Sequence, residues 1–125
     1  MRNVYEVLKE KGITLPQPPA KGGVYTPVQE LGEKFLYCSG CGPDLGNGNT
    51  VVGKLGKDLT VEDGQKAAYN CMLNLLANLN EKTGDLNRIK RMDGTDVNIG
   101  SYPSVFLSVF KLFPVLSISL IPYVL

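Results

Sequence analysis

Apolar residues recur along this chain at two different spacings, and each spacing predicts a different kind of element. Between Val61 and Lys82, the residues Ala68, Cys71, Met72, Leu75, Leu76 and Leu79 follow one another at intervals of three, four and seven. That period places them on one stripe of an amphipathic helix facing a sheet. Thr60 is suited to cap its start, with Asp63 at capping-box distance. Lys82 favours the C-terminal end of the dipole, and Gly84 suits the residue just past it. A shorter helix is predicted over 2–11, where Val4, Tyr5, Val7 and Leu8 share a face and Gly12 stops the run. Pro16, Pro18 and Pro19 then hold the chain extended.

Strand-like runs follow. Val24–Glu30 is predicted as a strand interrupted by Pro27, which lacks an N–H and so requires an edge or an irregularity. Leu31–Lys34 makes a tight connection to Phe35–Ser39, an aromatic and apolar run that reads as a buried strand. Gly40–Gly48 is a glycine-rich loop, with Asn47-Gly48 suited to a turn needing positive φ. A short strand is predicted over Val51–Leu55. After the long helix, Asp85–Asn87 begins a turn and Arg88–Met92 alternates like the start of another strand.

Beyond Met92 the texture changes. Asp93–Asp96 is turn-like, and from Val97 to Leu125 the only charged residue is Lys111. Residues 1–92 therefore read as one unit and 93–125 as an atypical apolar segment. Three readings of that segment stand side by side. It is sequence foreign to the domain, as a frameshift would produce. It is a divergent end, with a helix over Pro103–Phe113 and a strand over Val115–Tyr123. Or it is a membrane anchor, since about 20 apolar residues span a bilayer. Lys111 and Pro114 near the middle of Val105–Leu125 count against spanning, so a membrane partner is not expected.

Composition narrows the chemistry. The 125 residues suffice for one domain, and thirteen basic against twelve acidic residues give a net charge of +1. No basic stripe marks a nucleic-acid face, and the Arg88, Lys90 and Arg91 cluster reads as solvated surface, so no nucleic-acid partner is expected. The residues from Met1 to Glu6 are polar and mixed in charge, unlike a secretory leader. With three cysteines, an odd number, this predicts a reducing, cytoplasmic setting. The chain has no histidine, which removes Ser–His and Cys–His nucleophilic pairs and His-ligated metals. Cys38-Ser39-Gly40-Cys41 is a CxxC string. Cys71 alone does not supply a zinc ribbon's second pair, and no helix starts at Cys38 to activate it. The pair reads as a buried strand cysteine beside a loop cysteine. Gly40, Gly42 and Gly46 lack the spacing of a dinucleotide loop.

Several strings in order resemble the YjgF-like or Rid family of reactive intermediate deaminases, also called the L-PSP endoribonuclease family. They are Gly23-Val24-Tyr25-Thr26, Phe35-Leu36-Tyr37-Cys38-Ser39-Gly40 with Pro43 behind, Val52-Gly53-Lys54-Leu55-Gly56, and Gly84-Asp85-Leu86 followed by Arg88-Ile89-Lys90-Arg91. The resemblance covers about residues 1–92. It implies an α+β, chorismate-mutase-like sandwich: a mixed sheet with helices packed on one face, and a C-terminal part that is atypical here. It further implies a homotrimer with a pocket between subunits, and hydrolysis of enamines or imines to a keto acid and ammonia. A small-molecule ligand, an imine, enamine or carboxylate, is the implied partner, and no metal or organic cofactor is implied. Two ligand-binding positions carry over: Tyr25, where the family has its pocket tyrosine, and Gly40, where the Ser-Gly step offers backbone to the ligand.

The departures bear on activity. The resemblance places a substrate-carboxylate arginine and a water-positioning glutamate late in the chain. Here the last arginine is Arg91, and nothing after Asp96 is acidic. Lys111 does not substitute for a planar, bidentate guanidinium. The expected result is weak or absent hydrolysis. A non-enzymatic ligand-binding or regulatory module of the same fold is the alternative, and RNA cleavage a more remote one.

Overall fold

The computed structural model describes residues 2–21, 24–47 and 52–92, together with the backbone of later strands at 96–98, 115–117 and 119–122. The element order is α1 (Val4–Glu10), β1 (Val28–Leu31), β2 (Phe35–Cys38), α2 (Val61–Thr83), a 3-10 turn (Leu86–Arg88), β3 (Asp96–Asn98), β4 (Val115–Ser117) and β5 (Ser119–Pro122). The architecture is α+β. One sheet has the order β1-β2-β5 and a second pairs β3 with β4, both antiparallel.

The long helix forms where its pattern predicts. The Thr60 hydroxyl accepts from the Asp63 N–H, and the Asp63 carboxylate accepts from the Thr60 N–H, closing the capping box. At the other end Gly84 takes the left-handed conformation, φ 72°, and its N–H reaches the Asn80 carbonyl. A residue with a Cβ resists that geometry, so the helix ends there.

The helix packs on one face of the β1–β2 hairpin. Register pairs Val28 with Cys38 and Glu30 with Leu36, and paired residues project to the same side. Val28, Leu36 and Cys38 are buried with Cys71, Leu75 and Leu79 of α2 and with Leu86 in one core. Leu36 and Leu79 are 0% exposed, and each such side chain contributes about 1.5–3 kcal/mol relative to exposure. Glu30 meets Lys82 of α2 at 3.2 Å at the margin. On the opposite face Leu31 pairs with Phe35, and both are exposed. Burial on α2 extends past the expected stripe to Ala67, Leu73, Asn74, Ala77 and Asn78.

Helix α1 has seven residues and buries none completely, too few to persist alone. Tertiary bonds hold it. The Tyr5 hydroxyl donates to Asn80 Oδ1 at 2.7 Å and accepts from the Leu86 N–H at 2.9 Å, while the Val4 N–H donates to Asn87 Oδ1 at 2.8 Å. Val4, Leu8 and Leu15 pack at the edge of the core.

Four expectations need correction. The first strand does not run from Val24: Pro27 delays it, and pairing begins at Val28. The second ends at Cys38, with Ser39 outside it. No strand forms over 52–55, because the Lys54 carbonyl gathers the N–H groups of Lys57, Asp58 and Leu59 into a tight turn. Only an isolated Leu55–Leu59 bridge remains there. Arg88 closes a 3-10 turn capped by Asp85 rather than opening a strand.

In the late segment, β4 and β5 divide the region expected as one strand, and β5 pairs with β2 from Phe35–Pro122 to Cys38–Ser119. The helix expected over 103–113 lies outside the described residues. Among the described residues, no helix is long and apolar enough to cross a membrane.

Candidate functional site

The two expected ligand residues lie at the open end of the β1–β2 hairpin. Beyond the Val28–Cys38 pair, the Ser39 N–H donates to the Pro27 carbonyl at 2.9 Å, and the Ser39 hydroxyl donates to the Thr26 carbonyl at 2.8 Å. These bonds carry the pairing past the formal strand ends. They lay the segment at Tyr25–Thr26 beside the segment at Ser39–Gly40. Tyr25 is 42% exposed at this seam, and Gly40 is half-buried. Tyr25 and Gly40 thus lie on neighbouring segments at this seam, and the tyrosine is open to solvent.

The loop after Gly40 is fastened from below by α2. Asn74 donates through Nδ2 to the carbonyls of Gly42 at 2.9 Å and Asp44 at 2.6 Å. One turn later Asn78 donates to Cys41 Sγ at 3.3 Å. Asp44 adds an Asx-type turn, accepting from the Gly46 N–H at 2.8 Å. Asn74 and Asn78 are 1% and 5% exposed. In each, Oδ1 is buried and has no hydrogen-bond partner among the described residues. The signal for these residues was two asparagines four apart within a run of Leu73, Leu75, Ala77 and Leu79. A search for an apolar stripe passes over them.

Cys38, Cys41 and Cys71 are free and buried within the same core. Burial pushes the Cys38 thiol up to about 12, and the adjacent Cys41 adds to the rise. Burial likewise pushes Cys71 up to about 11. Cys41 is raised by burial, with the Asn78 N–H opposing. Thiols held protonated in this way are poor nucleophiles and poor metal ligands. Among the described residues, no cluster of three or more His, Cys, Asp or Glu side chains could hold a metal ion. Of the basic cluster, Arg88 is half-buried and donates to the Thr83 carbonyl at 2.7 Å, so it braces the end of α2. Lys111, the sole late cation, lies outside the described residues.

No family model matches the sequence. The chain is 36% identical over 97 residues to the protein TCP17 of Trypanosoma cruzi, a match taking in 78% of this chain and 60% of that protein. The chain thus matches less than two thirds of that relative's length. Among solved structures, a candidate endoribonuclease from Shewanella oneidensis superposes with a TM-score of 0.82 at 24% identity, covering 98% of this chain and all of that one. A protein of unknown function from Agrobacterium tumefaciens superposes with a TM-score of 0.71 at 26% identity, over 94% of this chain and 89% of that one. The fold is the YjgF-like one that the strings resemble.

Proposed function

We propose that this chain is a Rid-like binding scaffold for a small imine, enamine or carboxylate ligand at the Tyr25–Gly40 seam, with hydrolysis of that ligand weak or absent. The observation that supports this reading is the pair of Ser39 bonds to Thr26 and Pro27, which draws the segment of Tyr25 beside that of Gly40. The reaction such a site favours needs little covalent chemistry from the protein. Water adds to the electrophilic iminium carbon, the carbinolamine expels ammonia, and a keto acid remains. A protein accelerates this by orienting the carboxylate and the water. Without an arginine after Arg91 or an acid after Asp96, neither anchor for that orientation is in its expected place.

The pocket is assigned to the boundary between copies in a homotrimer. The outward-facing Leu31 and Phe35, 52% and 37% exposed, suit burial against a second copy. Three free cysteines support a reducing, cytoplasmic setting.

The test supplies 2-aminoacrylate generated in situ and follows release of ammonia and pyruvate above the spontaneous rate. A thermal shift with pyruvate runs alongside. A shift without turnover supports the binding reading. Rapid turnover refutes the claim of weak hydrolysis, and no shift with no turnover removes the ligand reading. RNA cleavage, the activity suggested for the Shewanella protein, is disfavoured by a net charge of +1 and no histidine. Incubation with a labelled RNA checks it directly.

A further inference from the structure

Two amides sit where a helix of this pattern would be expected to carry leucines. Asn74 and Asn78 lie on the buried side of α2, between Leu73, Leu75, Ala77 and Leu79. Each leaves its carbonyl oxygen buried without a partner among the described residues. Burying half an amide unpaired costs stability, and a well-packed apolar residue of similar volume removes that cost. The bonds the two residues do make share a single destination. Among the described residues all three reach the stretch Cys41–Asp44, directly after Gly40. Cys41 belongs to the core and Pro43 is buried, whereas the two residues whose carbonyls Asn74 grips are not. Gly42 and Asp44 are exposed, and water could satisfy their carbonyls without help from the helix.

We propose that Asn74 and Asn78 are positioning residues, which fix the backbone of the Gly40–Asp44 loop so that Gly40 presents its peptide group to a carboxylate-bearing ligand beside Tyr25. Asn74 is the principal one. Its two N–H groups grip carbonyls two residues apart, and so set the direction of the chain as well as its distance from α2. Asn78 sets the start of the loop through the Cys41 sulfur. The ligand part of this proposal rests on the binding reading above, whereas the loop-setting part can be read without it.

The experiment uses the full-length chain, isotopically labelled, as the wild type and as Asn74→Leu. The expected result is a fall in backbone order parameters at Gly40, Cys41, Gly42 and Asp44 from about 0.85 to below about 0.6. The amides of α2 and β2 keep their values, and Tm holds or rises. Pyruvate, used as the probe, then moves the Tyr25 and Gly40 resonances of the wild type and binds the variant at least about tenfold more weakly. Asn74→Ala takes the place of the leucine variant if the latter does not fold. A loop that stays ordered in the variant overturns the proposal. So does a loosened loop with pyruvate affinity unchanged, or a loss of order spread evenly over the core. If pyruvate moves no resonance even in the wild type, the binding reading fails. The order parameters then decide the loop-setting role by themselves.

Discussion

Alkaline pH should destabilise this protein through its buried thiols before any loss of its surface ion pairs. Cys38 is 1% exposed, and burial followed by the proximity of Cys41 raises its thiol from 9.0 to about 12. In the unfolded chain the same thiol ionises at its ordinary value. Below pH 9 both states keep the proton, and the native state suffers no penalty. Between pH 9 and 12 the unfolded state gives up a proton that the native state retains, so stability falls as pH rises. One proton per site corresponds to about 1.36 kcal/mol per pH unit. Cys38 therefore accounts for about 1 kcal/mol at pH 10, and at most about 4 kcal/mol if the whole interval is traversed. Cys71, raised to about 11, acts in the same sense over a shorter window. The assay is urea denaturation under reducing conditions from pH 8 to 10.5, on the wild type and on Cys38→Ala. The cavity left by alanine lowers both ends of the variant's curve equally, so the informative quantity is slope. The wild type should lose about 1 kcal/mol more than the variant between pH 8.5 and 10. Parallel curves would refute the argument, because they would mean that the Cys38 thiol ionises alike in both states.

Three further outcomes are expected. Thr60→Ala removes the capping box and should cost about 1 kcal/mol, read as a lower urea midpoint. Asp63 is held below its ordinary 3.8, first by the Thr60 backbone N–H and then by the Thr60 side chain. Its contribution is present above 3.8 and lost as acid takes the pH down through the lowered value, and Thr60→Ala should blunt that acid loss. Gly53→Ala places a Cβ 2.9 Å from Asp58 Cβ and 3.1 Å from Leu59 Cγ at φ +145°. It should destabilise by about 1–3 kcal/mol, and a Tm equal to that of the wild type would count against the turn geometry. Tyr5→Phe deletes the hydroxyl shared by Asn80 and Leu86, at a cost of about 1 kcal/mol. Amide exchange should quicken in α1 and not in α2; uniform quickening would show that Tyr5 supports the whole fold.

Legibility in the sequence followed how local each determinant is. The α2 boundaries were readable because Thr60, Asp63 and Gly84 act within one turn of the helix end. The β2 strand was readable because Phe35–Cys38 is apolar on both sides of a short run. Over 52–55, Val52 and Leu55 suggest a strand, but the Lys54 carbonyl is claimed by three N–H groups that follow it. Arg88 alternates with apolar neighbours, yet Asp85 caps a 3-10 turn through the Asn87 N–H. Tyr25 and Gly40 could be named from their strings, but their juxtaposition depends on Ser39 bonding across the hairpin. Asn74 and Asn78 could not be assigned a role, since nothing along α2 says which loop will lie over it.

The pairing of β2 with β5 has a consequence for biogenesis. Their partners, such as Cys38 with Ser119, lie about 80 residues apart, and chain elongation at about 5–20 residues per second separates their synthesis by about 4–16 s. Throughout that interval the nascent β2 has β1 on one side and an unpaired edge on the other. A short aromatic and apolar strand with one free edge is a template for intermolecular pairing. Heterologous yield should therefore depend on growth temperature and on chaperone supply more steeply than the stability of the finished protein would suggest.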